Sequence, residues 1–416
     1  MPHDLIIRNA MVVRSRGVVR AELAIDDGRI EEIAPEIADS AREQVDAQGL
    51  HMFPGVLDAH VHFNDPGRTD WEGAATGSAA FAVGGGTCYF DMPLNASPPT
   101  LDRASFELKR AALERSSLVD FALWGGLVPG NVDRLDELAD CGVIGFKAFM
   151  CSSGIDDFTA ADDYTLLQGM RIAAARKLPV AVHAENHAIC AGLAQAAIQA
   201  GRHGVRDYLH SRPILAEVEA ISRATNLAAE AGCSLHIVHV SSGSGVAVVA
   251  EARSRGIDVT CETCPHYLLL TDEDVERLGA VAKCSPPIRT SADREALWEG
   301  LERGDVAFVA SDHSPSPESM KRSSNFFDIW GGIAGCQTTL GLLLHEGYER
   351  RSFALNEVAA ILATAPADRF NVTRKGRIEV GVDADLVLVD LRKSAVLERE
   401  DLRYRHRVSP YLGRTL

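Results

Sequence analysis

Between residue 52 and about 313 the chain repeats one pattern eight times: a short apolar run, then a segment of helical character. The runs read VLDAHVHF, TCYFDMPL, DFALWGGLV, GVIGFKAFM, LPVAVHAEN, LHIVHVSS, DVTCETCPHYLLL and VAFVASDHS. Each reads as a strand, and helices are predicted between them, including 72–82, 102–115, 163–176, 213–231 and 291–303. Repeated strand–helix alternation favours a parallel sheet, and eight units favour its closure into an α/β fold of the (β/α)₈ TIM-barrel type. A barrel occupies roughly 250 residues or more as one unit, so 416 residues leave room for a second, smaller domain. HDLIIRNAMVV alternates, and Asp27-Gly28 sits between two apolar runs as a hairpin signal. KGRIEVGVDADLVLVDL returns to strand character near the other end. The expected organisation is a small, discontinuous, β-sandwich-like domain from 1–51 and 371–416 around a barrel at 52–370.

Six potential metal ligands stand at or near the ends of these runs: His60-x-His62, Lys147, His183, His239 and Asp312. In a TIM barrel the catalytic groups come from the C-terminal ends of several strands, so pattern and fold support each other. His60 and His62 share a face because side chains on a strand repeat every two residues. A lone His-x-His would be better read as structural or surface; four further potential ligands at repeated strand ends reverse that. Strand alternation turns His236 and His313 away from His239 and Asp312, and His187 lies four residues past His183.

Four imidazoles and a carboxylate suit one or two zinc-like ions. A charged Lys147 has no lone pair to offer a metal, but its neutral amine can add CO₂ to give an anionic, bridging carbamate. A lysine paired to a carboxylate is the alternative reading. Two ions would lower the pKa of a bridging water and polarise a carbonyl oxygen, and the hydroxide could attack an amide carbon. Asp312 would carry the proton to the leaving nitrogen. Hydrolysis of a C–N bond is the expected reaction class.

Composition closes off other classes. A net charge of −16 and a pI near 5.3 argue against nucleic-acid binding. No apolar stretch approaches the roughly 20 residues that span a bilayer, and the N-terminus lacks a basic segment leading into an apolar one. Cytoplasmic residence is the expectation. Nine scattered cysteines make no disulfide framework; Cys261-x-x-Cys264 near His266 has no second such pair and is expected to be structural. The four tryptophans, Trp71, Trp124, Trp298 and Trp330, lack interleaved basic clusters and are expected to pack in core or interface. Gly84-Gly85-Gly86 precedes a strand rather than following one, which suits a helix stop and not a phosphate loop.

Several further stretches carry a resemblance: HFNDPGRTDWEG, DMPLN, GFKAFM, ETCPHYL, KCSPPIR, SDHSP, WGGIAG and YRHRVSPYLGRT, in that order. Together with the strand-end residues they resemble the binuclear, cyclic-amide branch of the amidohydrolase superfamily over nearly the whole chain, and within it the allantoinases. The resemblance implies His60 and His62 on the more buried ion, His183 and His239 on the other, carbamylated Lys147 as bridge, and Asp312 as ligand and proton shuttle. It implies zinc, with cobalt, manganese or iron as substitutes, a small-molecule substrate (allantoin, opened to allantoate), and a homotetramer or dimer.

Departures from sister enzymes bear on the substrate. Dihydroorotases usually carry an arginine two residues after the second metal histidine to pair with the substrate carboxylate; here that residue is Asn64, although Arg68 is close by. Hydantoinases and dihydropyrimidinases generally place a tyrosine five residues after the carbamylated lysine; here stands Ser152, followed by Ser153 and Gly154. The smaller residues leave room for allantoin's ureido arm. Asn95 and Ser285 match ring-contact positions, with a polar turn residue capping its strand as the alternative for each, and Asn64 and Ser152 are the further candidate substrate contacts. A hydantoinase or dihydropyrimidinase activity is the second reading, with a dihydroorotase or a metal-free scaffold more remote. A loop over the site is expected at 152–163. Relatives usually run on past YLGRT into further strands, so either a shortened small sheet or a truncated chain is expected, with the chemistry retained.

Overall fold

The computed structural model describes residues 2–416. The chain opens with β1 (His3–Arg14), β2 (Gly17–Asp26), β3 (Arg29–Ala34), β4 (Ala41–Asp46) and β5 (His51–Pro54). β1 and β2 form an antiparallel hairpin, and the free edge of β1 is shared: β4 pairs with its first half and β5 with its second, both parallel. The register of the hairpin shifts between Ile7 and Ala10, where Asn9 adopts a left-handed φ of 56°. The sheet buries Ile7, Val12, Leu23, Ile25, Ile30 and Met52.

The barrel follows directly. Its strands are β6 (Val56–Val61), β7 (Gly86–Asp91), β8 (Asp120–Leu123) with its short continuation β9 (Gly125–Gly126), β10 (Phe146–Phe149), β11 (Val180–His183), β12 (Leu235–Ile237), β13 (Val259–Thr263) and β14 (Phe308–Val309). All neighbours pair parallel, in the order β6-β7-β8 and β9-β10-β11-β12-β13-β14. The ring closes where His62 N–H donates to the His313 carbonyl at 2.8 Å beside a parallel bridge from Val61 to His313. This is a TIM barrel with an attached β-rich unit.

The helices match the periodic segments closely: Ala74–Val83, Arg103–Ser116, Asp163–Ala175, Ile214–Ala231 and Ser291–Glu302. Their starts follow local chemistry, with the Asp102, Asp162 and Thr290 side chains accepting the backbone N–H three residues on. Gly84 caps the helix before β7, in keeping with a helix stop. One run is divided: DVTCETCPHYLLL yields β13 and then the helix Pro265–Leu269, because Pro265 occupies the first helical turn. All nine cysteines are free, and Cys261 and Cys264 are buried.

At the N-terminal end of the barrel, Arg369 pairs with Asp258 and donates to the Leu235 carbonyl. Phe370 beside it packs edge-on against Phe90, Trp124, His236 and Phe308. The chain then returns to the first sheet, where β15 (Leu386–Val389) pairs antiparallel with β5. Beyond β15 the chain lies on the barrel. Tyr404 hydroxyl accepts from Gln337 N–H, Arg405 N–H donates to Glu72, and a bridge joins Val396 to Thr415.

Candidate active site

His60, His62, His183, His239 and Asp312 converge at the C-terminal mouth of the barrel, on β6, β11, and the turns after β12 and β14. The Nε2 atoms of His60 and His62 stand 3.3 and 3.4 Å from Asp312 Oδ1. His183 Nδ1 lies 3.0 Å from His239 Nε2, and the His60 and His239 rings are 5.4 Å apart. His239 and Asp312 hold left-handed φ values of 40° and 44°. Such backbone costs a non-glycine residue of order 1 kcal/mol and is typical of functional sites. Here it re-aims side chains at strand ends.

The four histidines are buried, and the Asp312 side chain is 13% exposed. Burial pushes His62, His183 and His239 below the ordinary imidazole range, which favours the neutral form a metal requires. Burial opposes ionisation of Asp312, but the facing His60, His62 and His239 more than offset it and hold its carboxyl well below the usual range. Lys147 Nζ is buried, has no hydrogen-bond partner, and lies 5.1 Å from the centre of the Phe149 ring. Among the described residues no carboxylate comes within 4.0 Å of it, so the carboxylate-paired reading of this lysine is not what the geometry gives. Desolvation lowers its pKa to about 8.

Two glutamates that sequence reasoning passed over hold the histidines. Glu262 on β13 accepts from His60 Nδ1 at 2.6 Å and His236 Nε2 at 3.1 Å, leaving His60 Nε2 turned to the centre. Glu185 accepts from His183 Nε2 at 2.7 Å and is itself gripped by Arg212, leaving His183 Nδ1 inward. Such partners fix tautomer and ring orientation. A signal was present: Glu185 follows His183 by two residues, and Glu262 stands in ETCPHYL at the end of a run. His313 points elsewhere, its Nδ1 accepting from Gly335 N–H at 3.1 Å.

The donor set tests well for metal. Imidazole and carboxylate are ordinary ligands for divalent ions. The buried His62 Nδ1, His239 Nδ1 and Lys147 Nζ have no protein partner, and His60, His239 and Asp312 can offer one atom each within 4.8 Å of one another. The residues present fit a metal centre.

Above the centre opens a cavity of about 520 Å³ bordered by His60, His62, His183, His239 and Asp312. Asn95, Ser152 and Ser285 border it too. Ser285 Oγ is 2.7 Å from the Tyr208 hydroxyl, and Ser152 is exposed, its N–H 3.3 Å from His187 Nδ1. Asn64 does not border the cavity. Its left-handed backbone, φ 67°, buries the side chain beside the site, where neither amide atom finds a partner. Arg68 is likewise turned away: it donates to the Asn95 and Ala96 carbonyls and stacks over Trp71. The two cations that do border the cavity, Arg212 and Lys283, are committed to Glu185 and to backbone carbonyls. Trp330 borders the cavity and meets Trp71 edge-on at 4.9 Å.

A TIM barrel whose strand ends gather four histidines, an aspartate and a buried lysine under a small-molecule cavity defines a class of metal-dependent hydrolase. The chain belongs to the amidohydrolase family, whose profile matches residues 51–408. Its curated relatives include the allantoinases of Rubrobacter xylanophilus, 57% identical over 99% of this chain and 90% of the relative, and Deinococcus radiodurans, 52% identical over 100% and 92%. Among solved structures, the L-hydantoinase of Arthrobacter aurescens superposes with a TM-score of 0.97 at 35% identity, covering 100% of this chain and 93% of that one.

Proposed function

We propose that this chain hydrolyses the hydantoin ring of allantoin to allantoate. The observation that carries this reading is the convergence of His60, His62, His183, His239, Asp312 and Lys147 beneath a cavity walled by Ser152, Ser153 and Gly154. The allantoinase names of relatives at 52–57% identity over 99–100% of the chain support it. So does the absence, among the described residues, of an uncommitted Arg or Lys at the cavity, which a dihydroorotate carboxylate would require.

His60 and His62 would hold one ion and His183 and His239 another, with Asp312 and carbamylated Lys147 completing the set. Zinc is the first choice and cobalt, manganese or iron are alternatives. Two such ions supply Lewis acidity and a water of lowered pKa. Asp312, ionised and beside His60 and His62, takes a proton on its carboxylate and returns it to the ring nitrogen that leaves. Glu262 and Glu185 keep His60 and His183 in one tautomer each. Ser285, with its hydroxyl tied to Tyr208, and Asn95 orient the ring, while Ser152 gives room to the ureido arm. For the carbamate, the unpartnered Lys147 amine with a pKa near 8 is the group that CO₂ would meet, losing one proton as the N–C bond forms. We also infer a barrel domain at 52–370, a small domain from the termini, homo-oligomeric assembly and cytoplasmic residence. Among the described residues no helix is long and apolar enough to cross a membrane.

The test is a side-by-side assay of metal-reconstituted protein on allantoin, hydantoin, dihydrouracil and dihydroorotate, with Lys147→Ala as control. Preference for allantoin that disappears in the control is the expected result; preference for hydantoin or dihydrouracil would overturn the substrate and leave the class standing.

A further inference from the structure

One wall of the cavity is formed by Phe327, Asp328, Ile329, Trp330, Gly331 and Gly332. From Ile329 to Gly332 this segment is neither helix nor strand, so no backbone ladder sets its conformation. Two lysines do. Lys283, only 4% exposed, donates from Nζ to the carbonyls of Phe326 at 2.6 Å, Phe327 at 3.3 Å, and Ile329. Lys321 donates from Nζ to the carbonyls of Trp330 and Gly332, both at 2.8 Å. Three acceptors exhaust the donors of the first ammonium. Among the described residues neither lysine has a carboxylate within 4.0 Å. The Tyr208 and Phe326 rings stand 4.5 and 5.4 Å from Lys283 Nζ in place of a counter-ion.

Burying an ammonium without a counter-ion costs stability, and desolvation lowers Lys283 to about 7 and Lys321 to about 8. A core of this size would accept an apolar residue at either position more cheaply, unless the ammonium does something an apolar side chain cannot. What it does is visible in the backbone: five carbonyls of the 326–332 segment are held by the two ammonium groups, a set of contacts no apolar side chain could make. The wall is tied at three further points, Gly332 N–H to the Lys283 carbonyl at 2.8 Å, Trp330 N–H to Met320 at 3.0 Å and Phe326 N–H to His203 at 2.9 Å. Gly332 has a φ of 146°, and a Cβ there would stand 2.3 Å from the Ser314 carbonyl oxygen, so the turn tolerates no side chain. Gly331 faces Ser285: a Cβ on it would lie 3.9 Å from Ser285 Oγ.

We propose that Lys283 and Lys321 are positioning residues, a paired ammonium clamp that fixes the 326–332 wall against Ser285 and thereby sets how tightly the cavity holds a cyclic amide. The proposal rests on reading this cavity as the substrate site. It predicts a division of labour: the clamp acts on binding and the strand-end centre on chemistry.

The test uses metal-loaded Lys321→Met, with Lys283→Met as the more buried counterpart and Lys321→Arg as the variant that keeps donors. Losing charge-assisted hydrogen bonds should speed amide hydrogen exchange in peptides covering 326–332 on the order of 10–100-fold and raise KM by a similar factor, with kcat changed less than about 3-fold. Metal content and exchange over 146–149 should stay as they were, and Lys321→Arg should recover part of both effects. Unchanged exchange in the wall refutes the clamp. So does a uniform rise in exchange with a lowered melting temperature in Lys321→Met, which would make the lysines general stabilisers. The exchange measurement needs no substrate, and KM is taken with whichever cyclic amide the unaltered chain turns over. Failure of the clamp is thus separate from failure of the allantoin reading.

Discussion

Replacing Glu262 by glutamine keeps the shape of a buried side chain and removes its charge. In the unaltered chain this carboxylate is 1% exposed and accepts from His60 Nδ1 at 2.6 Å and His236 Nε2 at 3.1 Å. Burial pushes its pKa up, but His60 and His236 outweigh burial and hold it at about 2 against an ordinary 4.5. That difference corresponds to about 3 kcal/mol of preference for the ionised form, taken as an order of magnitude. Because the folded value is depressed, this stabilisation is complete above about pH 4.5 and is lost as pH falls toward 2. Glutamine can still accept from His60 through its carbonyl, and His236 can reverse its tautomer by donating to Thr260 Oγ1, 2.8 Å away. The fold should therefore survive, whereas His60 loses the charge that would make its Nε2 a strong metal ligand. Partners of this kind are worth about 10–100-fold in metal affinity. The assay is competition titration of the apoprotein with a zinc chelator, alongside metal analysis after dialysis and a melting curve. An affinity within about 3-fold of the unaltered chain, with metal content retained, would refute the reasoning that Glu262 acts through His60.

Three other outcomes follow from the same geometry. Protein stripped of CO₂ should lose activity and regain it when CO₂ is restored, faster at a fixed dissolved CO₂ concentration as pH rises toward about 8 and level above it, since only neutral Lys147 reacts; mass and metal content would follow the recovery. Ser152→Tyr fills the exposed edge of the cavity and should cut kcat/KM for allantoin on the order of 10-fold or more while sparing hydantoin, an order of magnitude appropriate to a blocked pocket, measured with both substrates at fixed metal. Lys109→Met removes the partner of Asp91, 2.5 Å away in a fully buried pair, and should cost about 3–5 kcal/mol in urea unfolding because an unpaired carboxylate remains. Adding Asp91→Asn should recover much of that loss.

The sequence by itself carried the barrel and the gathering of strand-end histidines with Asp312. Eight apolar runs with helices between them can bury their faces in few ways, and a parallel (β/α)₈ ring brings every strand end to one mouth. That is why His60, His62, His183, His239 and Asp312 could be named together although as many as 252 positions separate them along the chain. The substrate contacts were less legible. Asn64 was expected at the cavity, yet a left-handed residue at the strand end turned it inward, and no local pattern announces a sign change in φ. Ser152, Asn95 and Ser285 do border the cavity, as the family resemblance implied.

What only tertiary structure decided are the partners that hold the site from behind. Glu262 meets His60 across 202 residues of chain, Arg212 grips Glu185 from the turn that follows the helix Val205–Ser211, and Lys283 and Lys321 hold carbonyls that any sequence would supply. Periodicity reports which face of an element is buried, because burial repeats with the element. It does not report which buried charge meets which, since that depends on how the elements close around one another in three dimensions.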